Sequence, residues 1–429
     1  MISFKKQVLK SVRGRIVPLF GVIVVSFSMS GCDSLLDVSI PGEVDAADLG
    51  NPALARSLMV AAVGQFECAY NAYINGVSIL SEEHWVSSGW RNYNIWGARL
   101  DDLRRWGGAC LNNLGDGDAL GFWTALARAR FQTDDVFNRI EAFPAEQLPF
   151  NKTGSLAMLA AYAGYSYTLL GEGFCEMAID GGPLMTPEEV LAVAEARFTT
   201  AAELAQQAGD MDIYHMAMNG RARVRLNLGR TSEAASDAAV IPQGFVLNAT
   251  HSTTTPRRQN RVHLNSHRNE YLTVSPNYRG LQVDGVPDPR VPVEETGRPG
   301  EDGSTPLWLQ MKYASPTTAI PIASWEEAQL IIAEAELGQV AVDRINSLRD
   351  QHGLPHYEPS SVADDAEIFA QVLEERRRQL FLEGGHRYND MLRHDIPFPS
   401  GSNHKGEPYG PITCMPLPEQ ERIANPNIN

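Results

Sequence analysis

Nine prolines fall between residues 243 and 321, at 256, 276, 287, 289, 292, 299, 306, 316 and 321. Each removes a backbone donor and fixes φ, so no long helix can run through this stretch. The segments on either side read very differently. From about 120 to 240, and again from about 322 to 394, the pattern is helical. Thr186-Pro187-Glu188-Glu189 supplies an N-cap, a proline at the first helical position and a glutamate at the third, which predicts a helix start. Ser324-Trp325-Glu326-Glu327 repeats the capping box, and Trp325, Ala328, Ile332 and Ala335 then recur at helical spacing. Ile368, Phe369, Val372, Leu373 and Leu380 do the same. A long irregular excursion inside a compact chain is usually functional or disordered. Residues 243–321 are therefore expected to form a binding lobe, with 294–305 its most mobile part.

Alanine-rich helical segments end in Leu170-Gly171, Leu228-Gly229 and Leu337-Gly338. This likeness suggests tetratricopeptide-type hairpins, although the spacing follows no fixed period of 34. The fold class expected is mostly α, with degenerate helical hairpins and a loop-rich lobe.

Lys5, Lys6, Lys10, Arg13 and Arg15 precede an uncharged run, Ile16 to Met29. That is the layout of a signal peptide, and the run is shorter than the roughly 20 residues needed to span a bilayer. Met29-Ser30-Gly31-Cys32 resembles the lipobox of bacterial lipoproteins. The resemblance implies cleavage after residue 31, a lipid on Cys32, and a single domain over 32–429. Removing residues 1–31 takes away five Lys/Arg and no Asp/Glu, which moves the formal charge from -16 to -21. So acidic a chain repels nucleic acid and anionic lipid, so its membrane contact is expected to be the lipid itself.

Cys68, Cys110, Cys175 and Cys414 remain, an even number in a chain directed to an oxidising compartment. No Cys-x-x-Cys is present, which argues against zinc. Two disulfides are expected; of three possible connectivities, Cys68–Cys110 with Cys175–Cys414 is preferred because the first pair is near in sequence. His-Glu-x-x-His, Gly-x-Ser-x-Gly, phosphate-loop and dinucleotide-glycine patterns are all missing, so neither an enzyme nor a bound cofactor is expected. Glu82-Glu83 and Asp101-Asp102 carry no glycosidase signal among 52 acids, and Asp116-Gly117-Asp118 reads as a turn.

Longer motifs add to this. Residues Glu374 to Arg393, reading EERRRQLFLEGGHRYNDMLR, resemble the "ERRRELxxEGHRWxDLxR" helix of the SusD/RagB-like outer-membrane nutrient-binding lipoproteins, with an extra glycine. Met415 to Asn427 is similar to that family's "PIPxxExxxNPN" terminus, Glu327 to Ala335 to its "AExxLIxAEA" helix, and Asp288-Pro289-Arg290 to its loop signature. Cys32 to Asp37 is similar to the start of its mature chains. The resemblance implies about four tetratricopeptide-like units and a ligand-facing lobe. It also implies a lid on a SusC-like TonB-dependent transporter barrel, capturing oligosaccharides or peptides at the outer-membrane surface. The alternative is a surface-tethered scaffold whose repeats dock another protein. Within the motif, Glu383, His386, Arg387 and Asp390 are expected to form a buried polar network rather than a metal or catalytic site.

Residues 85–96, WVSSGWRNYNIW, hold three of the chain's seven tryptophans. Aromatic faces stack on sugar rings while Asn, Arg and indole N–H bond hydroxyls. Trp85, Trp90, Tyr93 and Trp96 are candidate ligand contacts, with Tyr271 and Tyr278 as companions from the lobe. The spacing of three between Trp90, Tyr93 and Trp96 also suits a core stripe.

Overall fold

The computed structural model describes residues 46–100, 110 and 121–428; the signal segment and Cys32 lie outside them. Helix α1 (Ala55–Leu80) is buried at nearly every position from Gln65 onward. It was not expected from the sequence, because a helix enclosed on all sides shows no amphipathic stripe and its N-cap, Leu54, offers no side-chain acceptor. After it come β1 (His84–Val86), α2 (Arg91–Gly97), α3 (Trp123–Ala142) and α4 (Lys152–Gly173). The small pair β2 (Met177–Ala178) and β3 (Leu184–Met185) leads to α5 (Pro187–Ala208), α6 (Met211–Asn227) and α7 (Thr231–Ala238). Thr186 caps α5 as expected, accepting from Glu189 N at 3.3 Å while its own N–H donates to the Glu189 carboxylate at 2.8 Å.

Successive helices pack side by side, α3 on α4, α4 on α5, and α5 on α6. The tightest point is Phe198 of α5. A Cβ on Gly164 of α4 would lie 2.7 Å from this ring, and one on Gly220 of α6 would lie 2.3 Å from it. Both glycines therefore serve to let three helices close around one aromatic side chain, with Tyr165 edge-on to it at 5.0 Å.

The proline-rich excursion leaves and returns at one place. Strand β4 (Val246–Ala249) pairs antiparallel with β10 (Ile320–Ser324), with Ala249 opposite Ile320 and a bulge between Pro321 and Ala323. Between them lie a short helix, α8 (Arg261–His263), then β5 (Leu272–Val274), β6 (Gln282–Val283), β7 (Val286–Pro287), β8 (Val293–Pro299) and β9 (Pro306–Gln310). Residues 294–305, expected to be mobile, are held in the β8–β9 hairpin. Its turn is tied by Asp302, which accepts from Ser304 N, Thr305 N and Thr305 Oγ1 at 2.7–2.9 Å.

The last helices are α9 (Trp325–Glu336), α10 (Gly338–Gln351), α11 (Asp365–Gln379), α12 (His386–Arg393) and α13 (Glu419–Ala424). Leu337 and Gly338, both at positive φ, break α9 from α10, and Gly229 ends the turn after α6, whereas Gly171 lies inside the last turn of α4. Ser324 accepts from Glu327 N at 3.1 Å, but the Glu327 carboxylate turns inward to Asn219 at 2.9 Å instead of completing the capping box. The segment 374–393 reads as one helix but is two. Gly384 (φ 50°) and Gly385 (φ 72°) turn the chain between α11 and α12, and a Cβ on Gly385 would strike Tyr73 of α1 at 2.4 Å.

Buried guanidinium groups join these parts. Arg223 of α6 donates to both Glu172 oxygens of α4 and to Gly384 O, with His386 Nε2 at 3.2 Å. Arg376 holds Asp390 through two bonds of 2.8 and 2.9 Å, and Arg393 bridges Asp390 and Glu334. Arg290 pairs with Asp288 and reaches Glu375, which also receives Arg349. Glu383 pairs with Lys312 at 2.7 Å. Burial opposes the ionised form of Asp288, but the Arg290 and Arg378 guanidiniums outweigh it and hold the carboxyl down to about 2. Burial instead pushes Glu327 up to about 7, with Arg223 pulling the other way. Two disulfides complete the frame, Cys68–Cys110 and Cys175–Cys414, with Cα separations of 5.9 and 5.2 Å. The second fixes the C-terminal segment to the end of α4, where Cys175 N donates to Met415 O and Met415 N to Gly173 O, each at 3.0 Å.

Gly220→Ala should destabilise the protein by about 1–3 kcal/mol, since the added Cβ would lie 2.3 Å from the Phe198 ring, which Gly164 also crowds. Thermal unfolding checks this, and a melting temperature equal to wild type would show that the three-helix contact is looser than described.

Candidate ligand-binding surface

Strand β1 carries Trp85 and pairs antiparallel with β5, placing Trp85 opposite Thr273. Thr273 Oγ1 accepts from Trp308 N at 2.8 Å and donates to Pro306 O at 2.9 Å, which brings β9 alongside. The excursion and the segment after α1 thus share one small layered surface. On it, the His404 ring lies parallel to Trp85 at 4.5 Å, and its Nε2–H donates to Val86 O at 2.8 Å. The Arg279 guanidinium sits 5.9 Å from the Trp85 ring and 4.8 Å from the Trp308 ring. Trp85 is therefore stacked by protein groups and forms a wall, not a free platform.

Trp90 is different. It precedes α2 in extended conformation (φ -68°, ψ 130°) and is 51% exposed. Its backbone is held firmly. Trp90 N donates to Ser88 Oγ at 3.1 Å, and Trp90 O accepts from Asn94 Nδ2 at 3.0 Å. Glu301 accepts from Gly89 N at 2.7 Å and Ser88 Oγ at 2.9 Å. Lys405 donates to Ser88 O at 2.7 Å and Asn94 Oδ1 at 3.0 Å while paired with Asp302 at 2.8 Å. Lys405 and the Thr305 and Ser304 donors hold the Asp302 carboxyl well below the usual range despite partial burial. Half-buried Tyr271 lies next to Trp90, its hydroxyl pushed up by burial and by Glu301, with the Trp90 side chain acting the other way. Beside Trp308 a cleft of about 340 Å³ opens along the β8–β9 hairpin, lined by Glu295, Arg298 and Ser304.

Three expected contacts belong to the core instead. Trp96 is fully enclosed, edge-on to Phe122 at 5.7 Å. Tyr93 is 8% exposed and packs on Tyr271 at 5.0 Å. Tyr278 is 2% exposed, stacked on Phe381 at 5.0 Å beneath the Arg377 guanidinium. The helical stripe has a simple resolution: Tyr93 and Trp96 lie on the buried face of α2, and Trp90 lies before the helix begins. Trp308, Arg279, Glu301, His404 and Lys405 were not singled out from the sequence. Only Trp308 carried a local signal, as an aromatic in a short apolar run; the others arrive by pairing over some 190 to 320 residues.

A second cleft, of about 700 Å³, lies between α4, α6, α9 and α12, beside Cys175–Cys414. Glu334, Asp390 and His394 converge near it within 4.8 Å of one another. Arg376 and Arg393 already neutralise both carboxylates, so these groups act as a structural knot.

Among the described residues no helix is long and apolar enough to cross a membrane. Residues 327–426 match the SusD family. No curated protein matches the chain. Among solved structures, a SusD-like carbohydrate binding protein from Bacteroides vulgatus superimposes with a TM-score of 0.63 at 14% identity, over 88% of this chain and 97% of that one. A SusD superfamily protein from Parabacteroides distasonis gives 0.61 at 13% identity over 87% and 98%. A SusD-like carbohydrate binding protein from Bacteroides fragilis gives 0.58 at 15% over 82% and 92%. The SusD-like fold is thus shared along nearly the whole chain, and residues 327–426 carry the sequence pattern of the SusD family.

Proposed function

We propose that this protein is a surface-tethered glycan-binding lipoprotein that captures oligosaccharides and passes them to a SusC-like TonB-dependent transporter. The observation that carries the reading is Trp90: an exposed indole, fixed by a clamped loop, beside Tyr271. A rigid aromatic face with hydroxyl, amide and charged groups around it suits a sugar ring, and similar folds include carbohydrate binding proteins. The chemistry proposed is binding and release. A tether at Cys32 would keep such a protein near the transporter at high effective concentration, even if their direct contacts are weak.

Binding to an oligosaccharide array should fall at least tenfold for Trp90→Ala while its melting temperature stays close to wild type. Trp96→Ala should instead lose about 3–5 kcal/mol of stability, as a core aromatic does. Equal destabilisation by both substitutions, or undiminished binding by Trp90→Ala, would remove the platform. For the tether, labelled palmitate should enter the wild type in cells and not Cys32→Ala; equal labelling would remove the lipoprotein assignment.

A further inference from the structure

Most buried charges among the described residues have an opposite partner. Arg261 has none among them. It opens α8, is 6% exposed, and its Nε and Nη2 have no hydrogen-bond partner among the described residues. Only its backbone is engaged, through N donating to Asn71 Oδ1 at 3.3 Å. Its electrostatic neighbours are the Tyr93 hydroxyl and Arg257. Arg257, half-buried, gives its guanidinium to the neutral Gln65 side chain and makes no ion pair among the described residues. Arg258 and exposed Arg128 add to the positive field there. The nearby carboxylate, Glu67, is already bonded to Arg258 and to Thr250 N and Oγ1.

A desolvated guanidinium without a counter-charge is costly, and breaches of this kind are expected where a protein binds something. The planar fork of arginine fits a carboxylate through two parallel bonds. Position narrows the ligand further. Tyr93, beside Arg261, packs on Tyr271, which in turn neighbours Trp90. We infer that Arg261, with half-buried Arg257 near it, recognises the carboxylate of an acidic sugar one aromatic layer below the Trp90–Tyr271 surface. This rests on the glycan reading above and names its substrate class, oligosaccharides containing uronic acid.

The test is calorimetry with galacturonic-, glucuronic- and mannuronic-acid trisaccharides against their neutral counterparts, plus inorganic phosphate at matched ionic strength. At least one acidic trisaccharide should bind wild type tenfold or more tighter than its neutral partner. Arg261→Gln should abolish that preference and keep the neutral affinity, and Arg261→Lys, which retains charge without the fork, should lose most of it. Without ligand, Arg261→Gln should melt no lower than wild type, because it loses an unpaired charge; the acidic sugar should raise the melting temperature of wild type alone. Equal affinity for acidic and neutral sugars, or a preference that survives Arg261→Gln, overturns the inference and leaves the glycan reading standing. Phosphate stabilising as strongly as the acidic sugar overturns the sugar assignment, and binding of no trisaccharide overturns both readings.

Discussion

The structure depends on buried guanidinium–carboxylate pairing. Arg223 with Glu172, Arg376 with Asp390, and Arg290 with Asp288 and Glu375 are almost entirely removed from water. Such pairs add little net stability over apolar packing, yet breaking one by removing a partner costs about 3–5 kcal/mol. Their consequence is specificity of arrangement. An α11 shifted by one residue, or a lobe seated elsewhere, would strand several charges in the interior. The arginine-rich motif is therefore a docking code within the chain, and Arg376, Arg377, Arg378 and Arg393 are all paired with carboxylates of the chain itself.

That code also places the binding surface. Arg377 and Arg378 reach from α11 to the carbonyls of Asn277 and Gln282 and to Asp288, gripping the excursion near its middle. The β4–β10 pair closes the excursion at its base. With both places fixed, β5 meets β1 and brings β9 alongside, and Glu301 and Asp302 arrive beside the 87–90 loop. Trp90 is thereby presented on a surface built from three distant parts of the chain, which is how a rigid aromatic face can be offered to solvent without collapsing inward.

Much of the fold was legible in the sequence, for identifiable reasons. Capping at Thr186, apolar spacing after Ser324 and the run of prolines are local signals, and each matched an element or a break. The α1 helix was invisible because full enclosure erases the periodicity on which such reading relies. The Glu374–Arg393 motif misled as to shape, since a six-residue turn, 380–385, with Leu382, Gly384 and Gly385 at positive φ, separates its two helices. At the surface, a spacing of three cannot tell a platform from a core stripe. Trp90 and Trp96 ended on opposite sides of that distinction because α2 starts one residue after Trp90. His404 and Lys405 could not have been found at all, as nothing local marks a loop that folds back over 300 residues.

The central claim is that Trp90 faces ligand while Trp96 and Tyr278 only support it. Hydroxyl-radical footprinting of the full-length protein, with and without a bound oligosaccharide, tests this residue by residue. The account predicts strong oxidation of Trp90 in the free protein, marked protection on binding, and little oxidation of Trp96 or Tyr278 in either state. Protection elsewhere with Trp90 unchanged would contradict it.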